Sequence, residues 1–263
     1  MKDGTFGLLG VGNELLSGKV EDSNVKFWIE ELKRLGQTVG LAIMAPDELN
    51  ALVDTLRFVR KHADILLMSG GIGPTHDDKT FEAVAAATGR PLVRHEGLAA
   101  AIRRHYGEAA DEHTMRMADV PEGTELLFAD ELLVPLFRVE EIHIFPGHPR
   151  MVQESFRCLA RHILTRSMKL KKYYTTFDES EIAALLAEVE SAVPGVMIGS
   201  YPRYHGADYK VLITVESRDE AAWRSALERL ETDAFRCGVL REEEEHVGGD
   251  GRSPGRAQQE GIS

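Results

Sequence analysis

The sequence predicts an α/β fold with a mostly parallel sheet, followed by a smaller α+β unit. In the first half of the 263-residue chain, short apolar runs alternate with segments of helical periodicity, as in a parallel sheet with connecting helices. Beyond this half, the order of elements changes to β-α-β-β-α. At about 100–200 residues per domain, this length permits one large domain or two modest ones. We predict domains over residues 1–167 and 168–241.

The elements of the first domain follow from apolar periodicity and from helix start and stop signals. Residues 6–11 form an apolar run typical of a buried strand, and Asp22 or Ser23 caps a helix that stops at Gly36. The other predicted strands cover residues 39–44, 64–69 and 141–145. The other predicted helices open at Pro46-Asp47 and cover residues 79–88, 96–106 and 151–164.

The second domain is predicted to contain strands at residues 171–177, 196–201 and 209–217 and helices at 179–192 and 219–235. The last strand alternates, with Val211, Ile213 and Val215 on one face and Leu212 on the other. A unit of about 70 residues is small for a self-sufficient core. The open edges of so small a sheet would be covered by the first domain or by a partner subunit.

Composition excludes several classes of protein. The formal net charge of −12 would repel a phosphate backbone, so we expect no nucleic-acid partner. No apolar run has the roughly 18 residues that a membrane span needs, and the N-terminus makes a poor signal peptide, so we expect no membrane partner. Cys158 and Cys237 cannot build a disulfide framework or a four-ligand zinc site, which favours a cytoplasmic location.

The C-terminal residues 242–263 combine a run of four glutamates with Gly, Pro and Gln. Such a segment has little apolar surface to bury, so we predict a disordered tail. Its deletion is expected to change neither stability nor activity.

Three unusual loops fall at the carboxyl ends of predicted strands, where ligands bind in open parallel sheets. They cover residues 10–18, 69–80 and 146–149. In the middle loop, glycines directly after a strand let backbone N–H groups approach an anion, and the following helix N-terminus adds to the attraction. The loop matches neither G-x-G-x-x-G nor Walker A, and a simple tight turn is the alternative interpretation.

Carboxylates in these loops suggest a cation site. Asp77 and Asp78 follow the glycines, and oxygen ligands of this kind hold Mg²⁺-like ions that bridge to substrate phosphates. Either aspartate could instead cap the next helix, and Asp47 has the same ambiguity. His76 is either a ligand or a solvated loop residue, and His148 is a candidate to face the cleft. No G-x-S-x-G, Cys/His pair or H-E-x-x-H pattern supports acyl transfer or zinc-peptidase chemistry.

The same loops resemble a known family. The motifs are GNELLSGK (12–19), PDE (46–48), GGIGPTHDDKTFEAVA (70–85), VPEGTEL (120–126), FPGHP (145–149), IGSYP (198–202) and DYKVLITVES (208–217). They are similar to the molybdopterin-binding (MoaB/MogA-like) domain family, and within it to the N-terminal domains of CinA and of FAD synthases. The resemblance covers roughly residues 4–235.

The resemblance implies a three-layer α/β/α fold and a divalent-metal-dependent hydrolase that splits the pyrophosphate of FAD or ADP-ribose. It implies catalytic roles for Asp47 and Asp78, and Mg²⁺ or Co²⁺ bound by Asp77 and Asp78, with K⁺ as a further candidate cofactor. The residues expected to contact the ligand or its phosphates are Gly12, Glu14, Asn24, Ser69, Gly70, Gly71, Gly73, Thr75, Thr80, Pro146 and Gly147. It also favours a homo-oligomer, most simply a dimer.

Two alternatives remain open at this point. The chain could bind molybdopterin without hydrolysis, as in molybdenum-cofactor biosynthesis, or it could be a degenerate regulatory domain. Residues 134–137 replace a GxAPG-like turn of the CinA relatives, and His148 replaces a small or apolar residue. The replaced turn favours the hydrolase over the pterin-binding protein, and the intact GGIGPTHDD loop disfavours a degenerate domain.

Overall fold

A computed structural model describes residues 4–163, 168–203 and 208–247. The chain divides into two compact units, Met1–Leu164 and Thr165–Ser263. No helix in these ranges is long and apolar enough to cross a bilayer.

The first unit is a three-layer α/β/α domain, as the family resemblance implied. Its strands are β1 (Thr5–Val11), β2 (Thr38–Ala45), β3 (Ile65–Ser69), β4 (Leu92–Arg94), β5 (Asp119–Pro121), β6 (Glu125–Leu127), β7 (Leu136–Val139) and β8 (Ile142–Phe145). Six of them form a sheet in the order β2-β1-β3-β8-β7-β6, while β4 and β5 pair separately. Strands β2, β1, β3 and β8 run parallel to one another, whereas β7 runs antiparallel to both of its neighbours, β8 and β6.

Helices cover both faces of this sheet. They are α1 (Asn13–Leu16), α2 (Ser23–Arg34), α3 (Leu49–His62), α4 (Thr80–Thr88), α5 (Glu96–Tyr106), α6 (Glu112–Met115) and α7 (Pro149–Ala160), with 3₁₀ turns at Gly107–Ala109 and Arg116–Ala118. Strand β1 shows how the two cores arise from alternation along a strand. Leu9 packs in a cluster with Leu56 of α3, whereas Leu8 packs in a second cluster with Trp28 of α2 and Phe156 of α7.

The predicted strands of this unit are confirmed, and the differences concern short elements and helix ends. Strands β4 to β7 have three or four residues each, too few for periodicity to reveal them. Asp22 caps α2 by accepting hydrogen bonds from two backbone N–H groups. Helix α3 begins at Leu49 rather than at Pro46-Asp47, and α7 begins at Pro149 and ends at Ala160.

The second unit contains β9 (Met168–Thr175), β10 (Val196–Pro202), β11 (Val211–Ser217) and β12 (Val239–Val247), with helices α8 (Glu179–Ala192), α9 (Glu220–Leu230) and α10 (Asp233–Arg236). The strands form an antiparallel sheet in the order β10-β11-β9-β12. Val211, Ile213 and Val215 are buried on one face of β11, as predicted. The helix predicted over residues 219–235 is two helices, because Thr232 caps a new start.

The prediction of a disordered tail from residue 242 is wrong for its first six residues. They belong to β12, which pairs with β9 along its length. Lys171 forms an ion pair of 3.2 Å with Glu242, and Lys172 forms one of 2.5 Å with Glu245. Backbone pairing and opposite charges therefore order a segment that has little apolar surface. Residues 248–263 lie outside the described residues.

One edge of the small sheet is less open than the sequence suggested. The edge-strand N–H of Ile198 in β10 donates to Glu190 Oε1 at 3.0 Å. Pro202, at the end of β10, has no N–H to offer. Such features are typical of edges that resist pairing with another chain. At the other side of the sheet β12 covers β9 and is itself the edge strand, and the homo-oligomer stays a prediction.

Candidate functional site

The carboxyl ends of β1, β2, β3 and β8 surround a cavity of about 710 Å³ within the first unit. Its wall includes parts of all three loops that the sequence singled out, together with α5 and residues 133–137. The site thus lies where an open parallel sheet is expected to bind its ligand. Ligand cavities commonly measure about 300–1,000 Å³, so there is room for a molecule larger than a single phosphate.

The glycine loop after β3 has a conformation that only glycine adopts easily. Gly70 and Gly71 have φ angles of +105° and +65°. A Cβ at Gly70 would lie 2.2 Å from the carbonyl oxygen of Val11, so no side chain fits there. Thr80 fastens the loop to α4, since its hydroxyl donates to the Gly70 oxygen at 2.8 Å and its N–H to the Gly71 oxygen at 3.0 Å.

Asn24 joins two of the loops to the start of α2. Its Nδ2 donates to the carbonyl oxygen of Gly147 at 2.8 Å and to Ser69 Oγ at 3.3 Å. The loops after β3 and β8 also touch directly, because a Cβ at Gly147 would lie 3.4 Å from the Cα of Gly70. The Asn24 side chain therefore holds the loops after β3 and β8 together, in addition to lining the cavity.

Asp78 braces the glycine loop rather than capping α4. Its Oδ2 accepts hydrogen bonds from the N–H of Thr75, at 2.8 Å, and from the Thr75 hydroxyl. Lys79 occupies the N-cap position of α4, with no side-chain cap bond. The helix-cap interpretation of Asp77 and Asp78 is therefore not what the structure shows.

Asp47 has one oxygen satisfied and one buried without a partner. Its Oδ2 accepts from the N–H of Asn13 at 3.3 Å, whereas its Oδ1 is buried with no hydrogen bond. Nor does Asp47 cap α3, which has Glu48 at its N-cap. A Cβ at Gly71 would lie 2.9 Å from this Oδ1, so the carboxylate sits directly beside the glycine loop. A buried, unpartnered carboxylate oxygen calls for a proton or a cation.

The electrostatics of Asp47 agree with its surroundings. Burial raises the pKa of Asp47 above its ordinary value, and the hydrogen bond from Asn13 opposes that rise. The carboxylates of Glu14, Asp78 and Asp77 raise this pKa further. The cavity wall therefore concentrates negative charge, and the lining residues that the structure describes include no lysine or arginine to balance it.

The residues present could hold a metal ion only with help from a ligand. Within residues 4–163, 168–203 and 208–247, no group of three or more His, Cys, Asp or Glu side chains is arranged to bind a metal. Mg²⁺ often takes only one or two carboxylates and completes its shell with water and substrate phosphates. Asp47, with its unpartnered oxygen, and the neighbouring Asp77 fit that mode.

Most of the predicted site residues meet at this cavity. They are Glu14, Asn24, Asp47, Ser69, Gly70, Gly71, Gly73, Thr75, Asp77, Asp78, Pro146 and Gly147. Thr80 is not among its lining residues, because it is fully buried behind the loop and bonded to it. Gly12 is also buried and absent from the lining; a Cβ there would lie 2.5 Å from Glu14 Oε1.

The far end of the cavity is apolar and was missed by the sequence analysis. It is lined by Leu98, Ile102 and Tyr106 of α5 and by Val134 and Phe137. The apolar periodicity of α5 was visible, but a helix face that lines a cavity looks the same in sequence as one that packs in a core. The cavity therefore has a polar end at the glycine loop and an apolar end at α5.

Each of the two structural units matches a known family model. Residues 7–166 match the family described as probable molybdopterin binding domain, and residues 167–239 match the middle domain of FAD synthase. The first match covers the unit that contains the cavity.

Individual relatives and a solved structure are consistent with these family matches. The chain is 30% identical to a protein of Archaeoglobus fulgidus over 86% of this chain and 96% of that one. It is 31% identical to a CinA-like protein of Syntrophus aciditrophicus and 26% identical to a probable FAD synthase of Caenorhabditis briggsae, covering 88% and 86% of this chain. It spans only 60% and 49% of those two relatives. The crystal structure of CinA from Thermoplasma acidophilum superposes with a TM-score of 0.55 and 27% identity, over 60% of this chain and 96% of that one.

Proposed function

The chain belongs to the probable molybdopterin binding domain family, and from that premise we propose that it is a divalent-metal-dependent pyrophosphatase acting on a dinucleotide such as FAD or ADP-ribose. One observation carries the proposal: the glycine loop after β3 opens into a cavity whose lining holds carboxylates but no lysine or arginine. This lining is taken over the described residues, and its carboxylates are Glu14, Glu21, Asp22, Asp47, Asp77 and Asp78.

The charge of the cavity explains why a cation is needed. A diphosphate brings negative charges into a site that already concentrates carboxylates, and like charges at short range repel strongly where water is partly excluded. Loop N–H groups alone offset little of that repulsion. A divalent ion shared between Asp77 and the phosphates would convert the repulsion into attraction.

The size and polarity of the cavity support a dinucleotide. The glycine loop of residues 69–73 suits one phosphoryl group, and the apolar end formed by α5 suits a planar ring. A volume of about 710 Å³ exceeds what inorganic phosphate or a simple sugar phosphate would fill.

The chemistry follows from the positions of the loop and of Asp47. When bound, a divalent ion would neutralise the diphosphate and lower the pKa of an attacking water. The raised pKa of Asp47 makes this carboxylate a better proton acceptor than an ordinary aspartate. As the water oxygen attacks phosphorus, Asp47 takes the proton. The bridging P–O bond breaks, and its electron pair leaves with the second phosphate, giving AMP and a second monophosphate.

The test is metal-dependent release of AMP. Purified protein is incubated with FAD or ADP-ribose and with MgCl₂, CoCl₂ or EDTA, with and without KCl, and AMP is measured by chromatography. We expect release with Mg²⁺ or Co²⁺ and none with EDTA. Asp47→Asn should abolish release, while Asp54→Asn, an 82% exposed side chain on α3, should not change it. Metal-independent or absent release would contradict the proposal.

A second candidate is binding of molybdopterin without hydrolysis. The observation that favours it is the family match itself, which covers the whole cavity-bearing unit. The same loop and carboxylates would hold the pterin phosphate. Tight binding of molybdopterin in calorimetry, together with no AMP release from either dinucleotide, would select this candidate.

A further inference from the structure

The cavity contains two side chains, among those described, that can carry positive charge. They are His105, which belongs to the apolar end with α5, and His148, which follows β8. Every other charged lining residue is an acid. Among so many acids, a histidine is a side chain whose N–H can attract an anionic ligand.

His148 lies at the end of the cavity where the glycine loop is. The preceding Gly147 packs against Gly70, as shown by the 3.4 Å separation between an ideal Gly147 Cβ and the Gly70 Cα. The carbonyl oxygen of Gly147 is held by Asn24 Nδ2 at 2.8 Å. The backbone that carries His148 is thus fixed to the loop that would bind the phosphate.

The residue after His148 fixes its backbone as well. Pro149 is the first residue of α7, and a proline restricts the residue before it to extended conformations. His148 has φ −71° and ψ 125°, as this restriction requires, and occupies the N-cap of α7. Its imidazole makes no cap hydrogen bond to α7, so the helix does not use the ring.

We infer that His148 donates a hydrogen bond from an imidazole N–H to a phosphoryl oxygen of the substrate at the glycine-loop end of the cavity. The inference rests on the proposed phosphate site but not on hydrolysis. Hydrogen bonds to a charged acceptor such as phosphate are about twice as strong as those between neutral groups. His148 would therefore act as a specificity residue for ligands that carry a phosphate.

Other titratable groups around the cavity must be separated from this effect. Acids face the phosphate end from the loops after β1, β2 and β3 and from the start of α2, namely Glu14, Glu21, Asp22, Asp47, Asp77 and Asp78. On α7 itself, Arg150 is paired with Glu154 at 2.9 Å. All of these are unchanged in a His148 variant, so the ratio of its affinity to that of the unchanged protein isolates the imidazole.

The experiment measures binding of inorganic pyrophosphate in the presence of MgCl₂ by calorimetry at one fixed pH. The variants are His148→Ala, His148→Lys and, as a control, His62→Ala. His62 is exposed on α3, where it stacks with Phe58 outside the cavity. Thermal unfolding of each variant checks that the fold is intact.

We expect His148→Ala to weaken binding by about ten-fold, since a hydrogen bond to a charged group is lost. His148→Lys, which keeps an N–H donor, should bind well, and His62→Ala should match the unchanged protein. Equal affinity of His148→Ala and the unchanged protein would overturn the inference, as would an unchanged protein that binds no pyrophosphate. Pyrophosphate binding without AMP release would instead contradict only the proposed hydrolysis.

Discussion

Asn24 Nδ2 donates a hydrogen bond of 2.8 Å to the carbonyl oxygen of Gly147, and this contact joins the start of α2 to the loop after β8 across 123 residues of sequence. The same nitrogen reaches Ser69 Oγ at 3.3 Å, so one amide group connects three segments. The sequence resemblance marked Asn24 as a ligand contact. The structure shows that it also positions the loops after β3 and β8 at the cavity.

Asn24→Ala should therefore lower both stability and ligand affinity. Loss of the hydrogen bond to the buried Ser69 hydroxyl costs about 1–3 kcal/mol of unfolding free energy when that group stays unsatisfied. Denaturant unfolding and pyrophosphate calorimetry measure the two effects. Asn50→Ala, at an exposed position on α3, is the matched control and should change neither. An Asn24→Ala protein with unchanged affinity would show that the loops hold their geometry without this contact.

A substitution at Gly70 tests whether the loop conformation is essential. Gly70→Ala places a Cβ 2.2 Å from a backbone oxygen at a φ of +105°, so the loop must move or the fold must yield. Gly18→Ala is a matched control, because Gly18 also has a positive φ, +70°, but a Cβ there meets nothing within 4 Å. The control should cost only about 1–2 kcal/mol for the left-handed backbone. Thermal unfolding should show a clearly larger loss for Gly70→Ala, and equal losses would contradict the close approach.

The sequence predicted the long elements and the place of the site for a physical reason. Buried strands such as β3 are continuous apolar runs, and the glycines that follow β3 mark the edge where ligands bind. The features that the sequence did not predict depend on contacts distant in sequence. The residues adjacent to Thr80 in sequence do not indicate that its hydroxyl donates a hydrogen bond to the Gly70 oxygen. Likewise, the residues adjacent to Glu242 do not indicate that it forms an ion pair with Lys171.

The apolar end of the cavity also could not be predicted from sequence periodicity. Leu98 and Ile102 lie on the apolar face of α5, and that periodicity predicts burial without saying what covers the face. Only the arrangement of α5 beside residues 133–137 shows that part of the face borders a cavity.

The ionised carboxylate of Asp47 should destabilise the folded state near neutral pH. Its pKa in the folded state is raised, mainly by burial, so the folded protein holds this proton more tightly than the unfolded chain does. By linkage, stability falls as pH rises from the unfolded aspartate value of about 3.9 through the raised folded value. Asp47→Asn removes this ionisation. We expect the variant to have a Tm equal to or above that of the unchanged protein at neutral pH.

The pH dependence separates this effect from a general change in packing. Thermal unfolding of both proteins is followed from about pH 3 to pH 8, and the difference in Tm should shift toward the variant as pH rises through the window above about 3.9. Glu48→Gln, at an exposed neighbouring position, is the control and should show no such shift. A variant that is less stable than the unchanged protein at neutral pH by the same margin at every pH would contradict the assignment.

Strand β12 provides the last test, which reverses the expectation that residues 242–263 are dispensable. Truncation after Arg241 removes the backbone ladder from Glu242 to Val247 against β9 and the ion pairs of Lys171 and Lys172. Each exposed ion pair contributes only about 0.2–1 kcal/mol, so most of the loss comes from uncovering the edge of β9. We expect a Tm lower by several degrees, since about 1 kcal/mol corresponds to roughly 2–4 °C in a chain of this size.

Truncation after Val247 keeps the whole strand and is the matched control. Added salt should narrow the difference only slightly, because it screens the charges but leaves the backbone pairing. Equal melting of the two truncated proteins would show that β12 adds nothing to the stability of the second unit.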